Sequence, residues 1–293
     1  MAMQVAHKEE HVRTGVKLAV GALLVVAALG LAGAAQSLVI KGSTTVLPIA
    51  QLIAEEFAAI HPTAVISVQG GGSGTGIAAL IDGTTHIATS SRAMKPSEWE
   101  KAVANEVYPY HWLVANDALA VVVHPTNPVS RITFAQLRAI YTGEIRNWKD
   151  LGSRDQPIVV VSRDTASGTF ESFKELVLEN KEVTAPVALF QPSNAAVAET
   201  VGRTPGAIGY VGLGYLNPTL KALPVARDAG GPFLEPTPDA VVAGIYPIAR
   251  PLFMITNGFP TGLILEFIMF VLSDRGQRTV EEAGFVPIRK ICG

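Results

Sequence analysis

The chain of 293 residues contains a single cysteine, Cys292. That excludes an internal disulfide and any cysteine-cluster metal centre; Cys292, one residue from the end, reads as a free thiol. Charged residues are scarce, at 16%, and Lys+Arg 23 against Asp+Glu 25 leaves a net charge of −2. The basic excess that marks a nucleic-acid surface is missing, so no nucleic-acid partner is expected. The six histidines show no paired metal spacing outside the N-terminal segment that carries His7 and His11, and His61, His86, His111 and His124 stand singly. No metal and no cofactor is therefore expected. Three familiar signatures also fail. A nucleotide P-loop needs Lys after Gly76, where Ile77 stands; G-x-G-x-x-G fits Gly70–Gly76 in no register; G-x-S-x-G around Ser73 needs Gly where Thr75 stands.

What is present begins with a hydrophobic content of 48%, ample for a sizeable core, in a length that fits about two domains. Gly 27 and Pro 19 suit short elements joined by many turns. The N-terminus has three parts. Residues 1–17 are polar, with Lys8, Arg13 and Lys17. Leu18 to Ala34 then runs without a charge, and Ala32-Gly33-Ala34 fits a small-residue cleavage pattern. This is the layout of a secretory signal over residues 1–34, cleaved after Ala34 or Ala35. An uncleaved anchor is the alternative, at the lower limit of length for a span. No cysteine follows Leu31-Ala32-Gly33, so lipid attachment there has no thiol. The expected location is the periplasm. The remaining chain carries 20 basic against 23 acidic residues, net −3.

Beyond the signal, short apolar strands alternate with helices. Strands are expected at Ser37–Lys41, Ala64–Gln69, His86–Thr89, Leu119–His124, Ile158–Val161, Ala207–Val211 and Phe253–Thr256. Helices are expected after Pro48, from Ile77, over Pro96–Asn105, Thr133–Tyr141, Ser167–Leu178, Ala195–Val201 capped by Asn194, Thr261–Leu272 and Asp274–Ala283. Thr133 and Gln136 form a capping-box pair. The alternation implies an α/β fold with largely parallel sheets.

One pattern recurs. Lys41–Thr45, Gly70–Gly76 and Ser162–Thr169 each join a strand to a helix and are rich in Gly, Ser and Thr. Each places hydroxyls and free N–H groups at a helix N-terminus on the carboxyl side of a strand, where anions bind. Any one such loop is most simply a helix cap. Three with the same chemistry, one carrying Arg163 with its permanent charge and fork of donors, favour an oxyanion site. No nucleophile paired with a base accompanies them, so no catalytic residue is assigned.

The segments Gly42–Pro48 (GSTTVLP), Gly70–Gly76 (GGGSGTG), Thr89–Arg92 (TSSR), Ser162–Phe173 (SRDTASGTFESF), Gly206–Tyr215, Tyr246–Phe253 (YPIARPLF) and Gly284–Ile288 resemble, in order, the periplasmic phosphate-binding proteins of ABC-type phosphate transporters. The resemblance implies a two-lobed type II periplasmic binding protein fold with a ligand cleft between lobes. Lobe one would be residues 35–115 and 248–293, and lobe two residues 116–247. It implies a non-enzymatic monomer that binds inorganic phosphate and delivers it to an inner-membrane ABC permease. Ser43, Thr44, Ser73, Ser91 and Arg92 would come from lobe one, and Arg163, Ser167, Gly168 and Thr169 from lobe two, with Asp164 placed to orient Arg163. Better-known members carry an aspartate in the segment matching Ser90-Ser91-Arg92. Ser91 stands there here, which leaves phosphate-over-sulfate discrimination open. Alternatives are another tetrahedral oxyanion, such as sulfate or molybdate, a secreted phosphatase using Ser73 or Ser167, or an adhesive protein with a vestigial cleft.

Overall fold

The computed structural model describes residues 36–291, so the segment read as a secretory signal and Cys292 lie outside the described residues. Eleven strands are described: β1 Gln36–Gly42, β2 Ala64–Gln69, β3 Ile87–Ser90, β4 Pro109–Val123, β5 Ile132–Thr133, β6 Val159–Arg163, β7 Ala188–Gln191, β8 Ala207–Gly212, β9 Lys221–Ala222, β10 Val225–Ala226 and β11 Ala249–Asn257. The α-helices are α1 Leu47–Ile60, α2 Ser73–Ile81, α3 Pro96–Ala104, α4 Phe134–Tyr141, α5 Gly168–Leu176, α6 Asn194–Arg203, α7 Pro238–Val242, α8 Gly262–Leu272 and α9 Asp274–Glu282.

The main sheet runs β2-β1-β3-β11-β4-β8-β6-β7, with β9 also on β4; β10 and β5 pair separately. Its two ends are parallel: β2, β1 and β3 on one side, β8, β6 and β7 on the other. The centre is antiparallel, because β11 and β4 run against each other and against their outer neighbours. The expectation of largely parallel sheets therefore holds for the ends and fails for the middle. There the chain passes from one half to the other along β4 and returns along β11.

β4 is 15 residues long, more than twice the expected strand. Its second part, Ala118–Val123, is wholly buried and reads as a strand at once. Its first part mixes Tyr110, His111, Trp112 and Asn116 with alternating exposure and lacks the apolar run that announces a buried strand. Pairing with β11, with a register shift between Leu252 and Phe253, extends it. The hydrophobic core divides along this strand. Trp112, Val114 and Ala115 pack with Leu38, Ile40, Ile53, Phe57, Met254 and Phe267. Ala118, Leu119, Val121 and Val123 pack with Leu137, Tyr141, Trp148, Phe173 and Tyr210.

Local signals account for the helices around each half. In α1, Ile49, Ile53 and Phe57 recur at a four-residue spacing and are buried, while Pro48 sits in the first turn, where its missing N–H costs nothing. Thr133 and Gln136 close the capping box on α4, with Gln136 N donating to Thr133 Oγ1 at 3.2 Å and Thr133 N to Gln136 Oε1 at 2.9 Å. α6 departs from expectation. Ser193, not Asn194, is its cap, with Ala196 N donating to Ser193 Oγ at 3.0 Å. Asn194 moves into the first turn and its amide is free for longer-range bonds.

Candidate functional site

The three loops meet. Gly42 ends β1 at φ +139°, and a Cβ there would lie 2.2 Å from Thr89 O, so only glycine fits. Gly72 N donates to Gly42 O at 2.9 Å and ties the second loop to the first. The third loop arrives from the opposite half: Gly74 N donates to Ala166 O at 3.0 Å, and Ser172 Oγ to Ser91 O at 3.3 Å. Gly168 presses against Ser73 and Ser91 so closely that a Cβ would lie 2.3 and 2.6 Å from their Oγ atoms. Thr45 and Thr169 share a hydrogen bond of 2.9 Å across the halves. Asn194 Nδ2 reaches Thr44 Oγ1 and Thr45 Oγ1, both at 3.1 Å, and Tyr215 OH donates to Thr44 O. Ser43, Ser73, Ser91, Arg163, Ser167 and Thr169 are at most 2% exposed. The cleft between the halves is closed.

The hydroxyls have a common polarity. Ser43 Oγ accepts from Thr45 N at 3.1 Å, Ser73 Oγ from Ser91 N at 3.0 Å, and Ser167 Oγ, the cap of α5, from Phe170 N at 3.2 Å. Thr44 Oγ1 accepts from Asn194. An oxygen that is already accepting leaves its own proton to be donated elsewhere. The first N–H groups of α2 and α5, including Ser73, Gly168 and Thr169, have no acceptor within their helices. The cluster is therefore rich in donors. Ser91 Oγ differs: its one hydrogen-bond neighbour is Ser73 Oγ at 3.4 Å, so it retains the capacity to accept.

Charge enters from two places. Arg163, at the end of β6, is 1% exposed. Its Nε donates to Gln191 O at 3.0 Å and its Nη2 to Pro192 O at 2.9 Å, while its Nη1 is buried without a partner. Burial lowers its pKa from the ordinary arginine value; Asp164 works the other way, and the nearby Arg250 adds to the lowering. Carbonyls, not Asp164, hold the guanidinium: Asp164 Oδ1 accepts from Ala166 N at 3.1 Å. The second charged group was not singled out from the sequence. Arg250 on β11 stands opposite Asp117 on β4 in the antiparallel ladder. Its Nε and Nη2 donate to Asp117 Oδ2 at 3.0 and 2.8 Å, while Leu213 N donates to Oδ1 at 2.8 Å. Burial raises the Asp117 pKa, against the pull of Arg250 and these donors.

Arg92, expected among the ligand contacts, is engaged by a carboxylate: its Nη1 and Nη2 donate to Glu98 at 2.7 and 2.6 Å, while its Nε is buried without a partner. Glu98 lies in the first turn of α3 and also accepts from Lys95 N, which fixes the partly buried pair within its own half. The remaining expected residues, Ser43, Thr44, Ser73, Ser91, Arg163, Ser167, Gly168 and Thr169, are brought together. Thr45, Asp117, Asn194, Tyr215 and Arg250 were missed. An aspartate and an arginine in the two crossing segments were the available signal for one pair of them. Among the described residues no cluster of metal-ligating side chains occurs, and no helix is long and apolar enough to cross a membrane.

A family model described as the PBP superfamily domain matches residues 30–275. The chain belongs to this family. Relatives include the phosphate-binding protein PstS of Pseudomonas aeruginosa, 32% identical over 84% of this chain and 81% of that protein, and that of Bacillus subtilis, 34% identical over 87% and 82%. Among solved structures, a putative phosphate ABC transporter substrate-binding protein from Clostridium perfringens with bound phosphate is similar at TM-score 0.77 and 31% identity, over 87% of this chain and all of that one. An ABC-type phosphate transport receptor from Vibrio cholerae follows at TM-score 0.68 and 32% identity, over 85% and 99%. The architecture is the two-lobed type II periplasmic binding protein fold, and the cluster described above lies in its cleft.

Proposed function

We propose that this chain is an extracytoplasmic solute-binding protein that captures inorganic phosphate in the cleft and delivers it to an ABC permease for import. The observation that carries the reading is a buried cluster whose hydroxyls and helix N-termini present donors, with an unpartnered guanidinium corner of Arg163 among them. Such a cluster is stable around a desolvated anion and costly without one. The similarity to phosphate-binding relatives names the anion. Residues 35–115 with 248–293 form lobe one in this reading, residues 116–247 lobe two, and residues 1–34 the secretory signal that sends the protein to the periplasm as a monomer.

Ligand binding proceeds by replacement of water. Ser43, Thr44 and Ser73 donate from lobe one, while Ser167, the Gly168 and Thr169 N–H groups and Arg163 donate from lobe two. Each lobe alone satisfies part of a phosphate's oxygens, so the anion favours the state in which both reach it. Closure then presents one composite surface to the permease, coupling capture to delivery. A net charge of −2 on the whole chain does not oppose this, because charges beyond about 8 Å are screened at physiological salt. Calorimetric titration of the purified protein with phosphate tests the reading; no heat of binding and no thermal stabilisation by phosphate would remove it.

A specific feature keeps a second ligand in view. The one buried carboxylate at the cleft, Asp117, is already bound by Arg250 and Leu213 N. Among the described residues no unengaged buried carboxylate therefore faces the hydroxyl cluster to repel fully ionised sulfate, and the proton of hydrogen phosphate has Ser91 Oγ as its acceptor. We accordingly expect sulfate to compete measurably with phosphate in a thermal-shift titration. A site blind to sulfate at any concentration would show that hydroxyl geometry alone discriminates.

A further inference from the structure

We propose that Arg250 is a second anion-binding guanidinium of the cleft, its Nη1 corner donating to the bound oxyanion beside Arg163. This rests on the oxyanion reading above and adds to it a residue on the crossing strands, outside the three loops.

Three observations carry it. First, Arg250 is held by one edge only. Asp117 takes Nε and Nη2, and Nη2 also donates to Thr45 Oγ1 at 3.2 Å and Thr169 Oγ1 at 3.1 Å. The residue is 5% exposed, and its Nη1 is buried with no partner. A charged donor in that position calls for an acceptor, since an unmade bond to a buried charge is costly. Second, the buried charges do not balance. Among the described residues Asp117, Arg163 and Arg250 are the charged side chains counted as buried, two cations to one anion. Asp117 accepts from Arg250 twice, from Leu213 N and from the Ala118 N–H, so its four lone-pair sites are taken and none is left for Arg163 or a ligand proton. Arg163 and Arg250 feel each other's charge. Each has one free corner, and an oxyanion between the corners resolves both deficits. Third, the placement suits a sensor of closure. Asp117 and Arg250 are paired in the ladder that joins the lobes, and Nη2 touches Thr45 of one wall and Thr169 of the other. The guanidinium is thus preformed by the crossing strands and meets both walls only when they come together.

Titration with inorganic phosphate decides the matter. Arg250→Gln is expected to weaken binding by about 30-fold or more, the low end for removing one partner of a buried charged hydrogen bond. Because that variant leaves Asp117 unpaired, Asp117→Asn with Arg250→Gln is made as well. It is expected to keep its fold in the absence of phosphate, by circular dichroism and thermal melting, and to bind as weakly as the single variant. Arg250→Lys keeps the charge without the fork and is expected to recover at least about fivefold over Arg250→Gln. Affinity in the double variant within about threefold of the unsubstituted protein overturns the proposal. So does an Arg250→Lys variant no better than Arg250→Gln, which assigns the fork a bracing role between Thr45 and Thr169 and nothing more. If the unsubstituted protein binds no oxyanion, the underlying reading falls and the role of Arg250 falls with it; if it binds and Arg250→Gln binds equally, only the role of Arg250 falls.

Discussion

The two walls of the cleft are built from the same motif and do different work. On one wall, Ser43 and Thr44 stand in the turn after β1 and Ser73 at the start of α2, all neutral, with their oxygens already accepting from N–H groups. The arginine of that wall, Arg92, is neutralised by Glu98. On the other wall the same strand-to-helix turn carries Arg163, whose fork rests on the weaker dipoles of two carbonyls and has no carboxylate hydrogen-bonded to it. In the proposed reading the neutral wall orients oxygens and the charged wall supplies most of the attraction.

That contrast can be broken by substitution, and the effects should fall in a definite order. Arg163→Ala removes the guanidinium charge and is expected to cost about 2–5 kcal/mol of phosphate affinity by calorimetry. Wild-type affinity in this variant would make the walls equivalent. Gly168→Ala places a methyl group against Ser73 and Ser91, contacts that exist only when the lobes meet. Binding is expected to weaken by about 1–3 kcal/mol, the usual cost of overpacking. The ligand-free melting temperature should stay put, and a lowered one would show that the contact is not confined to the closed form. Ser91→Ala removes the hydroxyl that can accept the phosphate proton, at about 0.5–1.5 kcal/mol for a neutral hydrogen bond. The phosphate-to-sulfate affinity ratio is the measurement, and it should fall.

Arg92→Gln sits at the bottom of the order, with phosphate affinity unchanged within about twofold, a difference of well under 1 kcal/mol. A loss comparable to that of Arg163→Ala would restore Arg92 to the site. What Arg92→Gln should change is acid stability. Burial raises the Glu98 pKa, but hydrogen bonds from Arg92 and Lys95 and their charges outweigh it, so the carboxyl titrates below its ordinary value of 4.5. A lowered folded pKa adds stability that is complete above the unfolded pKa and is lost as pH falls through the folded one. Below the ordinary Glu pKa, melting temperature should therefore fall less steeply with decreasing pH in Arg92→Gln than in the unsubstituted protein.

Legibility followed the range of the interactions. The strand Ala64–Gln69 and the helix with the Thr133 capping box were readable to the residue, because their signals are apolar periodicity and a cap three residues away. α2 began earlier than expected, at Ser73 inside the glycine loop, because Gly72 at φ +104° starts the turn that a glycine run hides from a propensity reading. Asn194 looked like a cap because it is a good cap; Ser193 took the position, and the tertiary fold turned the amide of Asn194 to Thr44, Thr45 and Gly212. Arg250 stood in a segment that carried the resemblance but received no role, since its partner Asp117 is 133 positions away.

By itself, the order of residues determined the alternation of strand and helix, the three hydroxyl-rich turns and the presence of Arg163 in one of them, since each depends on neighbours within a few positions. Tertiary structure decided that β4 and β11 cross side by side, that Arg250 meets Asp117, that Arg92 goes to Glu98 and that Gly168 closes on Ser73 and Ser91. A helix cap is written in adjacent side chains. The count of charges inside a cleft is settled only when segments far apart in the chain are folded out of water together.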